Sequence, residues 1–527
     1  MAKSNEFAIG LFEPGMTYVH RVGLAGLYMT LQRIQSSGQS IQGLEFELKP
    51  DRVTLSWGAG GPGPLAALCQ FAFGRTASGL VDFGAHRAMP IGDLERIELT
   101  RAVLGSFLQH NKQNLIPKGT ANRTVSIELN EQQVMVEYRP LVKPYAHAEL
   151  ASQILNKKGV PKDMVAIKGW LYPGGAKRHS SLTGAEMEES PGRSLCLAFA
   201  PVASLYYRLY HREADGSFDK RRGTAVCFPH LNNVERYAAH YQRYLDSPVE
   251  RLSADGPGDA GLSALVTLRA KDRLADLDIA GCTVITMGTV GWSKQQRTRT
   301  EVFAIDEVEE STLDLFDLAC RCLSNKILVR VPQAKSKKGA KTDDAGPRYF
   351  VTTSLARGLV ADNIAAGREW FHDFTSLMSS EKRSRQIGFD RKGLNEMVDK
   401  IEWQSEADKR FVEAVHDAVR SRYGAIAARA KEKGEKIPFD REFTRMRTGL
   451  MRVKNTSTLR AELADLFARG GINRTLQTEW REILPLFTGA DWQRARDLAL
   501  LALASYTGRG AEDLASTENN DTEEDQP

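Results

Sequence analysis

Cysteine, proline and long apolar runs are all scarce in these 527 residues, and each scarcity removes a class of protein. Six cysteines (Cys69, Cys196, Cys227, Cys282, Cys320 and Cys322), with one C-x-C and no C-x-x-C, supply neither a disulfide framework nor a zinc knuckle. They read as reduced thiols in a cytosol. The most apolar helical run, Leu498 to Ala504, is far too short to cross a bilayer, and the opening MAKSNEFAIGLFEPG has no signal-peptide core. A soluble, cytoplasmic chain with no membrane partner is therefore expected. Recognisable catalytic spacings are missing too: there is no H-E-x-x-H, no G-x-S-x-G and no Walker lysine. The glycine run from Gly58 to Pro64, GAGGPGP, lacks the Gly-Lys-Ser/Thr ending that holds phosphate and magnesium, so it reads as a loop. Asp82, Phe83 and Gly84 spell a kinase triplet, but nothing else of a kinase accompanies them. The ten histidines are scattered without a carboxylate or cysteine partner at a telling separation. These absences favour a binding protein over an enzyme, with no catalytic residue, metal or cofactor expected.

What is present organises the chain into an α+β protein, a large mixed N-terminal region followed by a C-terminal helical bundle. The expected division is 1–332 mixed, 333–347 a basic linker, 348–508 helical and 509–527 an acidic disordered tail. Apolar residues at helical spacing from Thr17 to Ile34 predict a helix, and Gly23, Ala25 and Gly26 would let it approach a neighbour closely. Alternation from Gly43 to Ser56 predicts a hairpin turning near Pro50 and Asp51, and similar patterns return at Arg123 to Leu129 and Gln133 to Arg139. Leu94 to His110 and Ser311 to Asn325 read as helices, and Ile327 to Val331 as a strand. Cys196 to His211 reads as a core helix or strand with an aromatic-rich edge, and the Gly/Asp/Ser-rich piece from Ser253 to Ser263 as a loop. Tyr237, Tyr241 and Tyr244 share one helical face and read as packing. From Leu355 to Tyr506, apolar positions recur at three and four, as in Phe411, Val415, Val419 and Leu459, Leu463, Leu466.

The net charge of +5 permits a polyanionic partner without requiring one, so local pattern matters more. Gly281 to Thr300 passes from a β-branched strand, broken by Gly288 and Gly291, into Trp292, Lys294, Gln295, Gln296, Arg297 and Arg299. An aromatic face beside guanidinium, ammonium and amide donors suits phosphates and bases, although an ordinary exposed hairpin has the same composition. Further candidates are Asn111, Lys112 and Gln113, the basic loop carrying Lys177 and Arg178, then Arg221 and Arg222, and Lys337 and Lys338 in the linker. In the helical region Arg445, Arg447, Arg452 and Lys454 form a cationic stretch that ends in an apparent hinge at Asn455, Thr456 and Ser457.

Three ordered stretches, GMTYVHRVGLAGLYMTLQ, TVITMGTVGWSKQQRTRT and ADWQRARDLALLALASY, together resemble the large subunit of type I CRISPR surveillance complexes, in the variant named for its Myxococcus members. The resemblance runs from about residue 10 to residue 506. It implies a non-catalytic subunit that binds the 5′ end of a guide RNA, helps read the motif flanking the DNA target and holds the unwound strands, while base pairing reads sequence. The implied partners are guide RNA, target duplex DNA with its displaced strand, and backbone, guide-end-capping and small subunits. A helicase-nuclease or a transposition adaptor would act downstream. In some members the helical bundle is also made separately, and Met378 or Met397 is placed to start it. Trp492, Leu498 and Leu501 read as core despite lying in a recognisable motif. The competing readings are a metal-independent repeat-RNA endonuclease using His20, His110 or another histidine as general acid and base, and a structural scaffold with basic faces.

Overall fold

The computed structural model describes residues 5–58, 61–109, 111–166, 188–210, 223–292, 295–331, 346–434 and 437–508, with only the backbone described for 111–112, 289–292 and 295–300. The chain divides into two compact units. One comprises the described residues of Met1–His211, Lys220–Leu313 and Asn325–Thr352, the other those of Asp314–Ser324 and Thr353–Pro527.

The first unit opens with β1 (Asn5–Gly10), α1 (Tyr18–Ser36) and the hairpin β2 (Leu44–Lys49) and β3 (Arg52–Trp57), forming an antiparallel sheet in the order β1-β3-β2. Val53, Leu55 and Trp57 alternate into the core, as their spacing requires. Next come α2 (Gly63–Ala72), the paired β4 (Phe73–Arg75) and β5 (Val81–Phe83), α3 (Asp93–Gly105) and the short α4 (Asn111–Asn114). The hairpin β6 (Arg123–Leu129) and β7 (Gln132–Tyr138), α5 (Leu150–Ile154) and the paired β8 (Val165–Ala166) and β9 (Glu188–Glu189) follow. α3 stops five residues before His110, where Ser106 leaves the helical region of backbone space.

Next in the chain are α6 (Pro191–Ala203), β10 (Leu205–Leu209), β11 (Gly223–Leu231), α7 (Val234–His240), α8 (Gln242–Leu245), β12 (Ser253–Ala254) and α9 (Pro257–Arg269). They are followed by β13 (Ile279–Trp292), β14 (Gln295–Asp306), α10 (Glu310–Cys322) and the hairpin β15 (Lys326–Arg330) and β16 (Arg348–Thr352). A five-stranded sheet in the order β12-β10-β11-β13-β14 forms the centre. Cys196 to Ala203 is therefore helix, and Tyr206 and Tyr207 sit on an inner strand, buried, rather than on an edge. The stretch from Ser253 to Ser263 is a strand followed by a buried helix rather than a loop. Its small residues are packing contacts, since a Cβ on Gly261 would lie 2.6 Å from Ile305. Gly288 and Gly291 do not interrupt β13, which pairs continuously with β14 from Gly281 to Trp292. Tyr237, Tyr241 and Tyr244 are buried together, as expected, with the helix stepping at Tyr241 into α8.

α1 lies along α6 and across β11. A Cβ on Gly23 would come within 1.8 Å of the Cys196 carbonyl oxygen, and one on Gly26 within 2.3 Å of that of Phe199. The two glycines are thus what allows the helix backbones to touch.

The second unit is helical: α11 (Leu355–Ala365), α12 (Glu381–Gly388), α13 (Arg391–Lys400), α14 (Glu406–Lys433), α15 (Phe439–Met451), α16 (Thr456–Gly470), α17 (Arg474–Thr488) and α18 (Trp492–Ser505). Phe411, Val415, Val419, Leu459, Leu463, Leu498 and Leu501 are all fully buried, and Trp492 is half-buried beneath Arg496. The apparent hinge at Asn455 is a helix start. The Asn455 side chain accepts from the Thr458 amide (2.9 Å), and the Thr458 hydroxyl accepts from the Asn455 amide (3.2 Å).

Candidate nucleic-acid interface

A cavity of about 320 Å³ opens in the first unit where α3 faces the end of the central sheet. Its floor is glycine: Gly105 ends α3, Gly223 begins β11 and Gly288 lies opposite Gly223 on β13. A Cβ on Gly223 would fall 1.9 Å from the Met287 carbonyl oxygen, so the strands close there only because the residue has no side chain.

The polar wall is built on α3, where Glu95, Glu98 and Arg101 recur at a spacing of three and so share a face. The Glu98 carboxylate is buried and accepts from Arg101 Nη1, from the Tyr349 hydroxyl and, at 3.3 and 3.4 Å, from Arg208 Nη1. Two guanidinium groups thus compensate its burial. Arg208 in turn stacks over the Tyr210 ring at 5.1 Å. Glu95 enters no ion pair among the described residues. Burial pushes its carboxyl above the usual range, the negative charges of Glu250 and Glu98 add to the rise, and backbone amides at Glu95 and Val249 oppose it.

Three of the candidate clusters adjoin, in sequence or by strand pairing, residues that line this cavity. Gln109, which lines it, stands two residues before Asn111, Lys112 and Gln113. Gly223 is bonded directly to Arg222, which follows Arg221. Gly288 is where β13 loses β11 as a neighbour among the described residues, and β13 and β14 continue as a two-stranded ribbon through Val290↔Arg297 to Trp292↔Gln295. Gln295, Gln296, Arg297 and Arg299 lie on the returning strand, with Arg299 paired to Gly288 itself. The side chains of Asn111, Lys112, Trp292, Gln295, Gln296, Arg297 and Arg299 lie outside the described residues, as do Lys177, Arg178, Arg221, Arg222, Lys294, Lys337 and Lys338 altogether. Gln113 is half-buried and bonded within the fold.

In the helical unit the cationic stretch divides. Arg445 donates to Glu442 (2.8 Å) and Asp465 (3.0 Å), and Arg447 donates to the Met378 carbonyl (2.8 Å). Arg452 and Lys454 are exposed and enter no ion pair among the described residues, so they are the pair left to meet an external anion.

One further group was not evident from the sequence. The Arg21 guanidinium lies 5.4 Å from the exposed Phe12 ring and 5.9 Å from Tyr18, and Tyr18 stacks on His230 at 3.6 Å and 11°. Such an alternation of ring and cation is a platform on which an unpaired base stacks. The spacing of Tyr18 and Arg21 on one helical turn was readable, but His230 comes from a distant strand.

His20 is 1% exposed, its Nδ1 accepts from the Thr17 amide (3.2 Å), and burial lowers its pKa to about 4. It stays neutral near pH 7 and is far from the value that suits a general acid and base there. His110 lies outside the described residues. Among the described residues no group of three His, Cys, Asp or Glu could hold a metal ion, and no helix is long and apolar enough to cross a membrane.

Residues 8–198 match the family described as the DevT N-terminal domain, and residues 399–527 match the DevT C-terminal domain. The chain is 30% identical over 538 residues to the CRISPR-associated protein Cas8a1/Csx13 of Myxococcus xanthus (strain DK1622), covering 96% of this chain and 89% of that protein. The mixed unit, the helical unit and this likeness define a CRISPR-associated large subunit of type I. Within that class, the chain belongs to the Cas8a1/Csx13 family.

Proposed function

We propose that this chain serves in an RNA-guided DNA surveillance complex, where its mixed unit binds the 5′ region of the guide RNA and recognises the target-flanking motif. The helical unit then steadies the R-loop by following a strand backbone with Arg452 and Lys454. The observation that carries this reading is membership of the Cas8a1/Csx13 family along nearly the whole chain. The presence of Gln109, Gly223 and Gly288 around one cavity, with the β13–β14 ribbon continuing from Gly288, supports the choice of the mixed unit. The partners on this reading are guide RNA, target duplex and displaced strand, and the backbone, guide-end-capping and small subunits. Its output is antiviral interference through a helicase-nuclease, or guided transposition through an adaptor. The chain itself supplies binding and no catalysis.

Tagging the chain in its native operon, washing at moderate salt and identifying what co-purifies tests this directly. A repeat-derived RNA with a backbone-forming subunit is the expected result. Recovery of the chain without RNA would overturn the proposal.

A further inference from the structure

The cavity between α3 and the central sheet has a chemical character that the family likeness does not specify. Its charged side chains balance: Glu95 and Glu98 against Arg101 and Arg208. A phosphate entering it would meet two carboxylates, whereas a neutral heteroaromatic group carrying both donors and acceptors would meet partners for both. The volume of about 320 Å³ is at the small end for ligand sites and suits one base better than a whole nucleotide. Tyr206, Leu99 and Met287 supply apolar wall, and the glycines at 105, 223 and 288 leave backbone exposed on the floor.

The two polar walls have unused capacity of opposite kinds. The Arg208 guanidinium spends Nη1 on Glu98 and donates to no other group among the described residues, so most of its five N–H donors remain. The Glu98 carboxylate and the Tyr210 ring fix its plane. Among the described residues Glu95 accepts from two backbone amides and no side chain, which leaves about two of its four lone-pair sites. Guanine is the base that offers a two-toothed partner to each group. Its O6 and N7 are adjacent acceptors for a guanidinium, and its N1–H and N2–H are adjacent donors for a carboxylate. Cytosine and adenine offer a carboxylate only their one amino group.

We infer that the cavity of Glu95 and Arg208 takes one guanine, unstacked from a nucleic-acid strand that runs onto the β13–β14 ribbon. This rests on the nucleic-acid reading above and adds a base preference to it. The ribbon begins at the cavity's edge, at Gly288, so a strand following the ribbon passes the opening.

The test uses the full-length chain and labelled oligoadenylates carrying one central guanine, inosine or 7-deazaguanine, in RNA and DNA versions, read by fluorescence anisotropy. Inosine lacks the N2 amine and 7-deazaguanine lacks N7. Each should bind about tenfold more weakly than guanine. Glu95→Gln should reduce the preference for guanine over inosine to none, and Ala102→Leu, which fills the cavity and keeps its charges, should abolish discrimination against both analogues. Discrimination in the RNA set alone assigns the guide, in the DNA set alone the target flank, and either supports the inference. Equal binding of guanine and inosine in both sets would overturn it while leaving the proposed function standing. Failure of every oligonucleotide to bind would remove both.

Discussion

His86 shows what burial does to an imidazole in the first unit. It is 1% exposed, its Nε2 pairs with the Val202 carbonyl at 2.8 Å, and desolvation lowers its pKa to about 4. His20 falls to about 4 and His147 to about 3, both mainly through burial. In the unfolded chain each takes up a proton near pH 6.5, whereas in the folded chain each stays neutral until the pH reaches its lowered value. Their contribution to stability is therefore whole above about pH 6.5 and is lost as the pH falls toward 4, at roughly 1.4 kcal/mol per imidazole by pH 5.5. We expect the melting temperature of the first unit to drop by at least about 5 °C between pH 7.5 and 5.5. His86→Gln, whose amide can still donate to Val202, should flatten that slope by about a third. A melting temperature independent of pH across this range would refute the argument.

The α1–α6 crossing makes a sharper demand at the scale of elements. Gly23→Ala must push a Cβ against the Cys196 carbonyl or part the two helices, at a cost of about 3 kcal/mol in urea denaturation. Gly38→Ala, where nothing lies within 4 Å and only the left-handed backbone (φ +66°) resists, should cost about 1 kcal/mol. Equal costs at the two sites would mean that the crossing does not depend on close approach. The helical spacing and the small residues of this element were legible in the sequence, as was the β2–β3 hairpin, because periodicity there follows burial. The stretch from Ser253 to Ser263 was not, because Gly, Ser and Asp are used as close-packing residues, a role composition does not distinguish from a turn. The site was legible in part. Glu95, Glu98 and Arg101 carry a readable three-residue spacing, but the cavity exists only because Arg208, Gly223 and Gly288 arrive from separate strands.

Over the whole molecule, charge follows local pattern more than the total of +5. Arg445 and Arg494 are absorbed by carboxylates of the helical unit, Arg494 by Asp408 and Glu369. We expect Lys337 and Lys338 in the lysine-rich stretch to meet phosphate instead. Replacing both by glutamine should lower the slope of log affinity against log salt for single strands by about 1.4, and should weaken binding to all sequences alike. An unchanged slope would exclude them from the backbone contacts. The long helix α14, whose 28 residues extend about 42 Å before Gly434 (φ +65°) ends it, packs against α16, α17 and α18. Each of those helices has its apolar stripe against this one rod. None of the three can loosen without exposing part of the rod, so we expect these four helices to lose protection from amide hydrogen exchange together.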